Sequence, residues 1–154
     1  MKIINNNILN YNNYNMKNII DNKKSDNILD NKNLDTAYKK IRNDTLNIFG
    51  PNAPKSVKDA WTKTLDETGI YDLGCDENGE DHITQMDILR VIIEEQTGSC
   101  DVLGNSVDSA IKTVKLALDM LNNPITASTD PQIIKRQEKE KEFYEKFLAN
   151  LNQR

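Results

Sequence analysis

Apolar residues recur every three or four positions through most of the chain after residue 33, which is the spacing of one face of an α-helix. Strands would need a sustained alternation of apolar and polar residues, and the sequence contains none of useful length. The first periodic run predicts a helix over about 34–48, and the pair Gly50-Pro51 ends it. The positions of its predicted face are Leu34, Ala37, Tyr38, Ile41 and then Leu46 or Thr45.

A second helix is predicted to begin at Ser56. Ser56 and Asp59 have the spacing of a capping box, in which each side chain accepts a hydrogen bond from the backbone amide of the other residue. Gly69 ends the helix, and Trp61 lies on its apolar face as a predicted anchor of the core. That face consists of Val57, Ala60, Trp61, Thr64 and Leu65.

Thr84 and Asp87 repeat the capping-box pattern, which predicts that a third helix begins at residue 85. We expect this helix to run to about residue 96 and to stop before Gly98. Its predicted buried face consists of Met86, Leu89, Ile92 and Ile93.

The most regular apolar periodicity follows and predicts the central helix of the core. Asn105 or Ser106 caps its beginning, and the sequence Asn122-Asn123-Pro124 ends it. Its apolar positions are Val107, Ala110, Ile111, Val114, Ala117, Leu118 and Leu121.

The last predicted helix has Asp130 as its cap and Pro131 at its first position, where the missing amide donor costs nothing. Two apolar patches on it are separated by residues 135–142, KRQEKEKE, which we expect to stay in solvent throughout. The second patch must be covered, so it either packs on the body of the chain, which we favour, or binds a partner or a second copy. The candidate partner-binding residues are Phe143, Tyr144, Phe147, Leu148 and Leu151.

These elements predict an all-α fold, a small bundle of about four to five helices. A chain of 154 residues is long enough for one modest core. Residues 1–33 contain twelve Asn and show no sustained period, so we expect a flexible low-complexity tail. Residues 34–124 form the predicted core domain. Residues 125–154 form a charged amphipathic helix that packs on the core or faces a partner.

Charge is spread unevenly along the chain. The net charge of −4 divides into +2 over residues 1–33, −7 over 34–126 and +1 over 127–154. Between Lys63 and Arg90 there are eight acidic residues and no lysine or arginine. Because such a region repels phosphate backbones, we expect no direct binding of nucleic acid, and a basic partner or a cation fits better. No run approaches the roughly eighteen apolar residues of a membrane span, so no membrane association is expected.

Few residues suit metal or redox chemistry. The chain has two cysteines, Cys75 and Cys100, and one histidine, His82, which excludes the usual four-ligand zinc patterns and a C-x-x-C redox pair. We expect reduced thiols and a cytoplasmic location, since the start of the chain does not resemble a signal peptide. A Cys75–Cys100 disulfide and export by a signal-independent route are the alternatives. No catalytic constellation is present, so no enzymatic activity is expected.

Residues 76–87, DENGEDHITQMD, place oxygen-bearing side chains at several ligand positions of an EF-hand calcium loop. Two departures weaken the match. Asp81 replaces the glycine that permits the sharp turn, and Asp87 is shorter than the usual bidentate glutamate. A weak calcium site is therefore the alternative, and an acidic cap on the third helix is the simpler interpretation. The candidate ligands are Asp76, Asn78, Glu80, Thr84 and Asp87.

Three segments, VKDAWTKTLDETG, HITQMDILRVI and DVLGNSVDSAIKTVKLALDMLNNP, resemble a group of small uncharacterised proteins from low-GC Gram-positive bacteria. Those proteins combine an Asn/Ser/Tyr-rich start with helices marked by A-W-x-K-x-L-x-E-T-G, I-T-Q and D-V-L-G-N-S. The resemblance covers about residues 55–124 and brings no established activity. It implies that Trp61, Thr84 and residues 101–106 belong to a shared architecture, whereas the acidic insert CDENGEDH is peculiar to this chain.

The sequence therefore predicts a non-enzymatic helical protein–protein interaction module of a bacterial or mobile-element protein. Two alternatives remain: a weak calcium-binding protein that uses the loop 76–87, and an acidic inhibitor of a host enzyme. No cofactor is expected, and calcium is the alternative. A monomer is favoured, with a homodimer as the alternative, and the identity of the protein partner is open.

Overall fold

Five helices make up the fold of the computed structural model, which describes residues 31–75 and 80–153. No strand occurs within these ranges, so the predicted all-α fold is confirmed. None of the described helices is both long enough and apolar enough to cross a membrane. The helices are α1 (Asn31–Phe49), α2 (Lys55–Thr68), α3 (Gln85–Thr97), α4 (Val107–Asn122) and α5 (Pro131–Asn152).

α1 begins three residues earlier than predicted. The remainder of the predicted flexible tail, residues 1–30, lies outside the described residues. The carbonyl oxygen of Phe49 accepts hydrogen bonds from the amides of Val102 (2.8 Å) and Leu103 (2.9 Å), which hold the C-terminus of α1 to the loop before α4. Glycine suits this contact, because a Cβ atom at position 50 would lie 2.9 Å from Leu103 Cδ1 and 3.0 Å from Ala53 Cβ.

Most helix ends lie where the sequence predicted them. Gly69 and Gly98 terminate α2 and α3 in the left-handed conformation, with φ of 67° and 72°. Ser106 caps α4 and Asp130 caps α5, in each case through a side-chain oxygen that accepts a backbone amide of the first turn. These boundaries were predictable because each depends on a few neighbouring residues.

The capping box predicted at the start of α2 is wrong. α2 begins at Lys55, one residue before Ser56, and its N-cap is Pro54, which makes no side-chain hydrogen bond. The Pro54 carbonyl already accepts the amide of Val57 at 2.9 Å, so the first helical turn is closed without a hydroxyl cap. The Asp59 carboxylate instead pairs with Lys55 Nζ at 2.6 Å.

The core forms where α5 packs against α2 and α4. Trp61 of α2 is fully buried at its centre, which confirms the predicted anchor. The Phe143 and Phe147 rings of α5 pack against it at steep interplanar angles of 70° and 84°, with centroid distances of 4.9 and 5.3 Å, and the Phe49 ring of α1 lies at 6.1 Å. Such tilted and edge-on contacts are the favoured geometry of aromatic pairs.

The five residues considered for partner binding lie in this core. Phe143, Tyr144 and Phe147 are fully buried, Leu151 is 4% exposed, and the partly buried Leu148 packs against the same cluster. The structure therefore has the patch packed on the body of the chain. It does not present these side chains as a docking surface, because α2 and α4 already cover their apolar area.

Polar contacts hold the end of α5 to α2. Asn150 is 7% exposed, and its side-chain amide donates to Thr64 Oγ1 at 3.0 Å and to Glu67 Oε2 at 2.9 Å. Lys146 Nζ lies 3.5 Å from the same carboxylate oxygen. These contacts fix the rotation of α5 and keep its aromatic side turned toward Trp61.

Replacing Trp61 by Ala should lower the free energy of unfolding by about 3–5 kcal/mol, because it removes the ring around which three helices pack. Leu116→Ala on α4 is the control. Leu116 is 49% exposed, so its truncation should cost no more than about 0.5 kcal/mol. Urea unfolding measures both values, and equal costs would contradict the assigned core.

Candidate functional site

The beginning of α3 is closed by the capping box that the sequence predicted. Thr84 Oγ1 accepts the Asp87 amide at 3.3 Å, and Asp87 Oδ2 accepts the Thr84 amide at 2.8 Å. Thr84 is fully buried, so this helix end faces the body of the protein. The reciprocal pair satisfies two of the amides that a helix start leaves without partners.

Two further amides at this helix end are satisfied by side chains of α5. The Gln85 amide donates to Glu140 Oε1 at 2.6 Å, and the Met86 amide donates to the Tyr144 hydroxyl oxygen at 3.2 Å. The Tyr144 hydroxyl in turn donates to Glu140 Oε1 at 2.6 Å. Four consecutive amides therefore have acceptors, and two of these acceptors tie α3 to α5.

The prediction that residues 135–142 stay in solvent throughout is wrong for Glu140, which is only 5% exposed. It lies one turn before Tyr144, so it continues the buried side of α5. The i, i+4 spacing from Glu140 to Tyr144 was the signal that could have identified it. The charged residues on either side hid that signal in the sequence.

Burial changes the proton affinity of both groups. It raises the pKa of Glu140 to about 7, although the hydrogen bonds from Tyr144 and from the Gln85 amide favour the ionised carboxylate. It also raises the pKa of Tyr144 well above the usual value of a phenol, so this hydroxyl keeps its proton and acts as a donor. The linkage between α3 and α5 thus contains a carboxyl group that titrates near neutral pH.

Asp72, in the loop between α2 and α3, is a second buried carboxyl group that the sequence analysis missed. It is 6% exposed, and one of its oxygens accepts the hydroxyl of Thr45 from α1. Burial raises the pKa of Asp72 to about 7, against the opposing effect of the Thr45 hydrogen bond. Arg42 fastens the same loop to α1 by donating to the Tyr71 carbonyl at 3.0 Å.

A cleft of about 560 Å³ lies between this loop and the first half of α5. The loop forms one wall, and side chains from the first three turns of α5 form the other. Asp72 and Glu140 both line it, so the two buried carboxyl groups border the same space. The described charged residues that line this cleft are Asp72, Glu80, Lys135, Arg136, Lys139, Glu140 and Glu142.

A different surface is formed by the outward side of α3. Ile88, Val91 and Ile92 are 37%, 40% and 39% exposed, whereas Met86 and Leu89 on the inner side are fully or almost fully buried. The prediction that Ile92 belongs to the buried face is therefore wrong. α3 carries apolar residues on two sides, and periodicity alone could not tell which side packs inward.

The candidate calcium ligands that lie within the described residues make other contacts. Asp76 and Asn78 lie outside the described residues. Glu80 lies 3.4 Å from a guanidinium nitrogen of α5, and Thr84 and Asp87 bond to each other in the capping box. Within residues 31–75 and 80–153, no group of three or more His, Cys, Asp or Glu side chains is arranged to hold a metal ion.

The two cysteines do not form a disulfide with each other. Cys75 belongs to the loop wall of the cleft, together with His82, and Cys100 lies in the loop that leads to α4. The reduced thiols predicted from the sequence agree with this arrangement.

Comparison with known proteins adds no functional assignment. No family model matches the chain, and no curated protein or solved structure matches it. The resemblance of residues 55–124 to small proteins of low-GC Gram-positive bacteria therefore stays a prediction.

Thr84→Ala should lower the free energy of unfolding by about 1 kcal/mol, because the first turn of α3 loses its side-chain acceptor. Thr84→Ser keeps the hydroxyl and should restore most of the lost stability. Chemical denaturation of the two variants makes the comparison. If serine were as damaging as alanine, the loss would come from the buried methyl group and not from the cap.

Stability should fall as the pH rises through the range where Glu140 titrates. The pKa of this carboxyl is 4.5 in the unfolded chain and about 7 in the folded protein, so the folded state holds the extra proton between these values. The contribution of Glu140 to the free energy of unfolding is complete below about pH 4.5 and is lost by about pH 7. The loss amounts to at most about 3 kcal/mol. Asp72 acts in the same direction.

Glu140→Gln should remove the part of this pH dependence that belongs to Glu140, because the amide keeps an acceptor oxygen but does not titrate. Urea midpoints measured from about pH 5 to about pH 8 should therefore decline less for this variant than for the wild type. Glu138→Gln, at an exposed position of α5, is the control. Parallel curves for the wild type and Glu140→Gln would contradict the assignment.

Proposed function

We propose that the protein is a non-enzymatic helical interaction module that binds a protein partner through the outward side of α3. The observation that carries this proposal is the exposure of Ile88, Val91 and Ile92 on a helix whose opposite side is already buried in the core. Single exposed apolar residues are ordinary on a protein surface. Three of them on one side of a 13-residue helix give a partner a defined apolar surface.

The spacing of these residues suits recognition along a helix. They stand at positions i, i+3 and i+4, so their side chains lie on the same side of α3. Partners that recognise a helix commonly do so through anchors with this spacing. The apolar area they would remove from water supplies the favourable free energy of such a contact.

The surface is also held in place before a partner arrives. The four hydrogen-bonded amides at its N-terminus fix α3 to its own cap and to α5. A helix that is already ordered loses little conformational entropy when it binds, which favours affinity. This support distinguishes α3 from a segment that would have to fold on its partner.

Charge on α3 favours a basic partner. Glu95 follows Ile88 by two turns on the same side, and Glu94 beside it is also exposed. A partner surface with apolar residues flanked by Lys or Arg would complement this arrangement, whereas a second copy would bring its own acidic end against it. Binding of a different protein is therefore favoured over self-association through this side.

Several acidic residues already have partners within the chain, which weakens the alternative of an acidic inhibitor. The Asp66 carboxylate pairs with Arg42, and Glu67 lies near two lysines. The Glu80 carboxylate is 3.4 Å from Arg136. To bind a target enzyme through these acidic groups, the protein would have to break their internal contacts. Binding through the apolar side chains of α3 does not require that any internal ion pair be broken.

Affinity capture from native lysate of the source cells tests the proposal. The double variant Val91→Ser/Ile92→Ser should lose most of the captured partner, a drop of about tenfold or more, because it removes two of the three apolar anchors. Ile125→Ser is the control, since Ile125 is fully exposed in the loop between α4 and α5. Circular dichroism checks that both variants keep the wild-type helix content.

The proposal would be wrong if the double variant captured the same partner as efficiently as the control. It would also be wrong if no partner were captured and the purified protein turned over a substrate in a broad hydrolase screen. In that case the cleft, and not α3, would be the centre of function.

A further inference from the structure

We propose that residues 3–14 of this chain bind the outward side of α3 and compete there with an external partner. The inference rests on the proposed function, because it names what regulates the same surface, the exposed Ile88, Val91 and Ile92. Residues 3–14 lie outside the described part of the chain. Their sequence, the charge beside them and their attachment to α1 point to this occupant.

The composition of residues 3–14 suits an apolar helix side with a polar border. The segment contains six apolar and aromatic residues, and its other six residues are all asparagine. The apolar side chains gain free energy when they and those of α3 leave water. The asparagine amides can donate to carboxylates at the border of such a contact. The apolar and aromatic residues are Ile3, Ile4, Ile8, Leu9, Tyr11 and Tyr14.

The charges beside the two surfaces are opposite. Lys2 and Lys17 stand on either side of the segment, and residues 1–20 contain no acidic residue. Glu94 and Glu95 are exposed beside the apolar residues of α3. Their carboxylates take part in none of the ion pairs formed among the described residues. The two carboxylates are therefore available to attract the lysines of the segment.

Charge also separates α3 from the exposed apolar residue of α4. Leu116 is 49% exposed, and Lys112 and Lys115 are exposed on the same helix. A segment that brings two further lysines would meet like charge there. Electrostatic complementarity therefore favours α3 over α4 as the surface that the segment binds.

The fold places the start of α1 within reach of α3. Thr45 of α1 bonds to Asp72, and Gly74, two residues further on, lies against the side chain of the α3 cap residue. Along this path Asn31 is at most about 50 Å from Ile88, with a rise of about 1.5 Å per helical residue. The path bends through the fold, so the direct distance is shorter.

The connection between the segment and α1 is long enough to span this distance. It consists of residues 15–30, which can extend to about 55 Å. Residues 3–14 can therefore contact α3 of the same chain while α1 keeps its place in the fold.

Attachment to the same chain strengthens the contact. A segment tethered in this way has an effective concentration of about 1 mM at a surface within its reach. A contact with a dissociation constant of only about 0.1 mM would then cover α3 in about nine of ten molecules. The apparent affinity for an external partner falls in proportion to the fraction of α3 that is open.

Zero-length carbodiimide cross-linking of the full chain tests the proposal. The reagent joins a lysine amine to a carboxylate with which it is in contact, and mass spectrometry of the monomer band locates the bond. Lys2 or Lys17 should be joined to Glu94 or Glu95. Cross-links to Asp119, which is exposed on α4, give the background for collisions of the segment with other surfaces.

The α3 variant Val91→Ser/Ile92→Ser should lower the yield of these cross-links by about fivefold or more, because it removes two of the three apolar contacts. Both residues are exposed, so circular dichroism should show the wild-type helix content. Cross-links to the background carboxylate of α4 should change by less than about twofold.

A matched pair of variants tests the segment itself. Ile8→Ser/Leu9→Ser should lower the yield by about fivefold or more, because it removes two apolar residues of the proposed contact. Ile19→Ser/Ile20→Ser removes two apolar residues from the connection to α1 and should change the yield by less than about twofold.

Partner capture separates the fate of this inference from that of the proposed function. Ile8→Ser/Leu9→Ser should raise the amount of external partner captured by about threefold or more, because it leaves α3 open. If capture depends on Val91 and Ile92 but the segment variant changes neither capture nor cross-linking, the inference is wrong and the proposed function stands. If the cross-links form as expected but no partner is captured by any variant, the inference stands and the proposed function fails.

Three results would each overturn the inference. One is cross-linking of Lys2 and Lys17 to Asp119 as often as to Glu94 and Glu95. Another is an equal yield from the segment variant and its control in the connection. The third is cross-links only between two chains, detected with a mixture of isotope-labelled and unlabelled protein, which would show that the segment binds a second copy and not its own α3.

Discussion

The hydrogen-bonded pair of Glu140 and Tyr144 is the contact on which the position of α3 relative to α5 depends. It supplies acceptors for two backbone amides at the start of α3, and these amides would otherwise be buried without partners. Without it, α3 would have only its own capping box to hold its first turn. The same pair lies at the inner end of the cleft, because Glu140 lines the cleft and is buried at the edge of the core. One polar contact thus orients both the outward side of α3 and the wall of the cleft.

Local signals in the sequence were sufficient to define the helices. The cap at Thr84 and the termination at Gly69 depend on residues within one turn, and Trp61 was identifiable because it stands alone on an apolar stripe. α2 begins one residue earlier than predicted, because the Pro54 carbonyl closes the first turn without the hydroxyl of Ser56. Errors in predicted helix boundaries remain small, because the alternative first and last residues of a helix are neighbours in the chain.

The candidate sites were much less predictable, because they depend on contacts between residues far apart in sequence. Glu140 is separated by more than fifty positions from the Gln85 amide that it accepts, and Asp72 meets Thr45 only after α1 and the loop come together. Charged neighbours made the buried Glu140 resemble part of a solvated stretch. Ile92 illustrates the opposite error, since an apolar residue on a helix with two apolar sides gave no indication of which side would face water.

The aromatic arrangement around Trp61 gives the protein an intrinsic optical reporter. Trp61 is the single tryptophan of the chain, and its indole ring packs against two phenylalanine rings of α5 and one of α1. Any event that separates α5 from α2 would admit water to the indole and shift its fluorescence emission to longer wavelength. Events that alter only the exposed side of α3 would leave the ring in its apolar surroundings. The emission spectrum therefore reports, without any added label, whether the helices packed around Trp61 remain together.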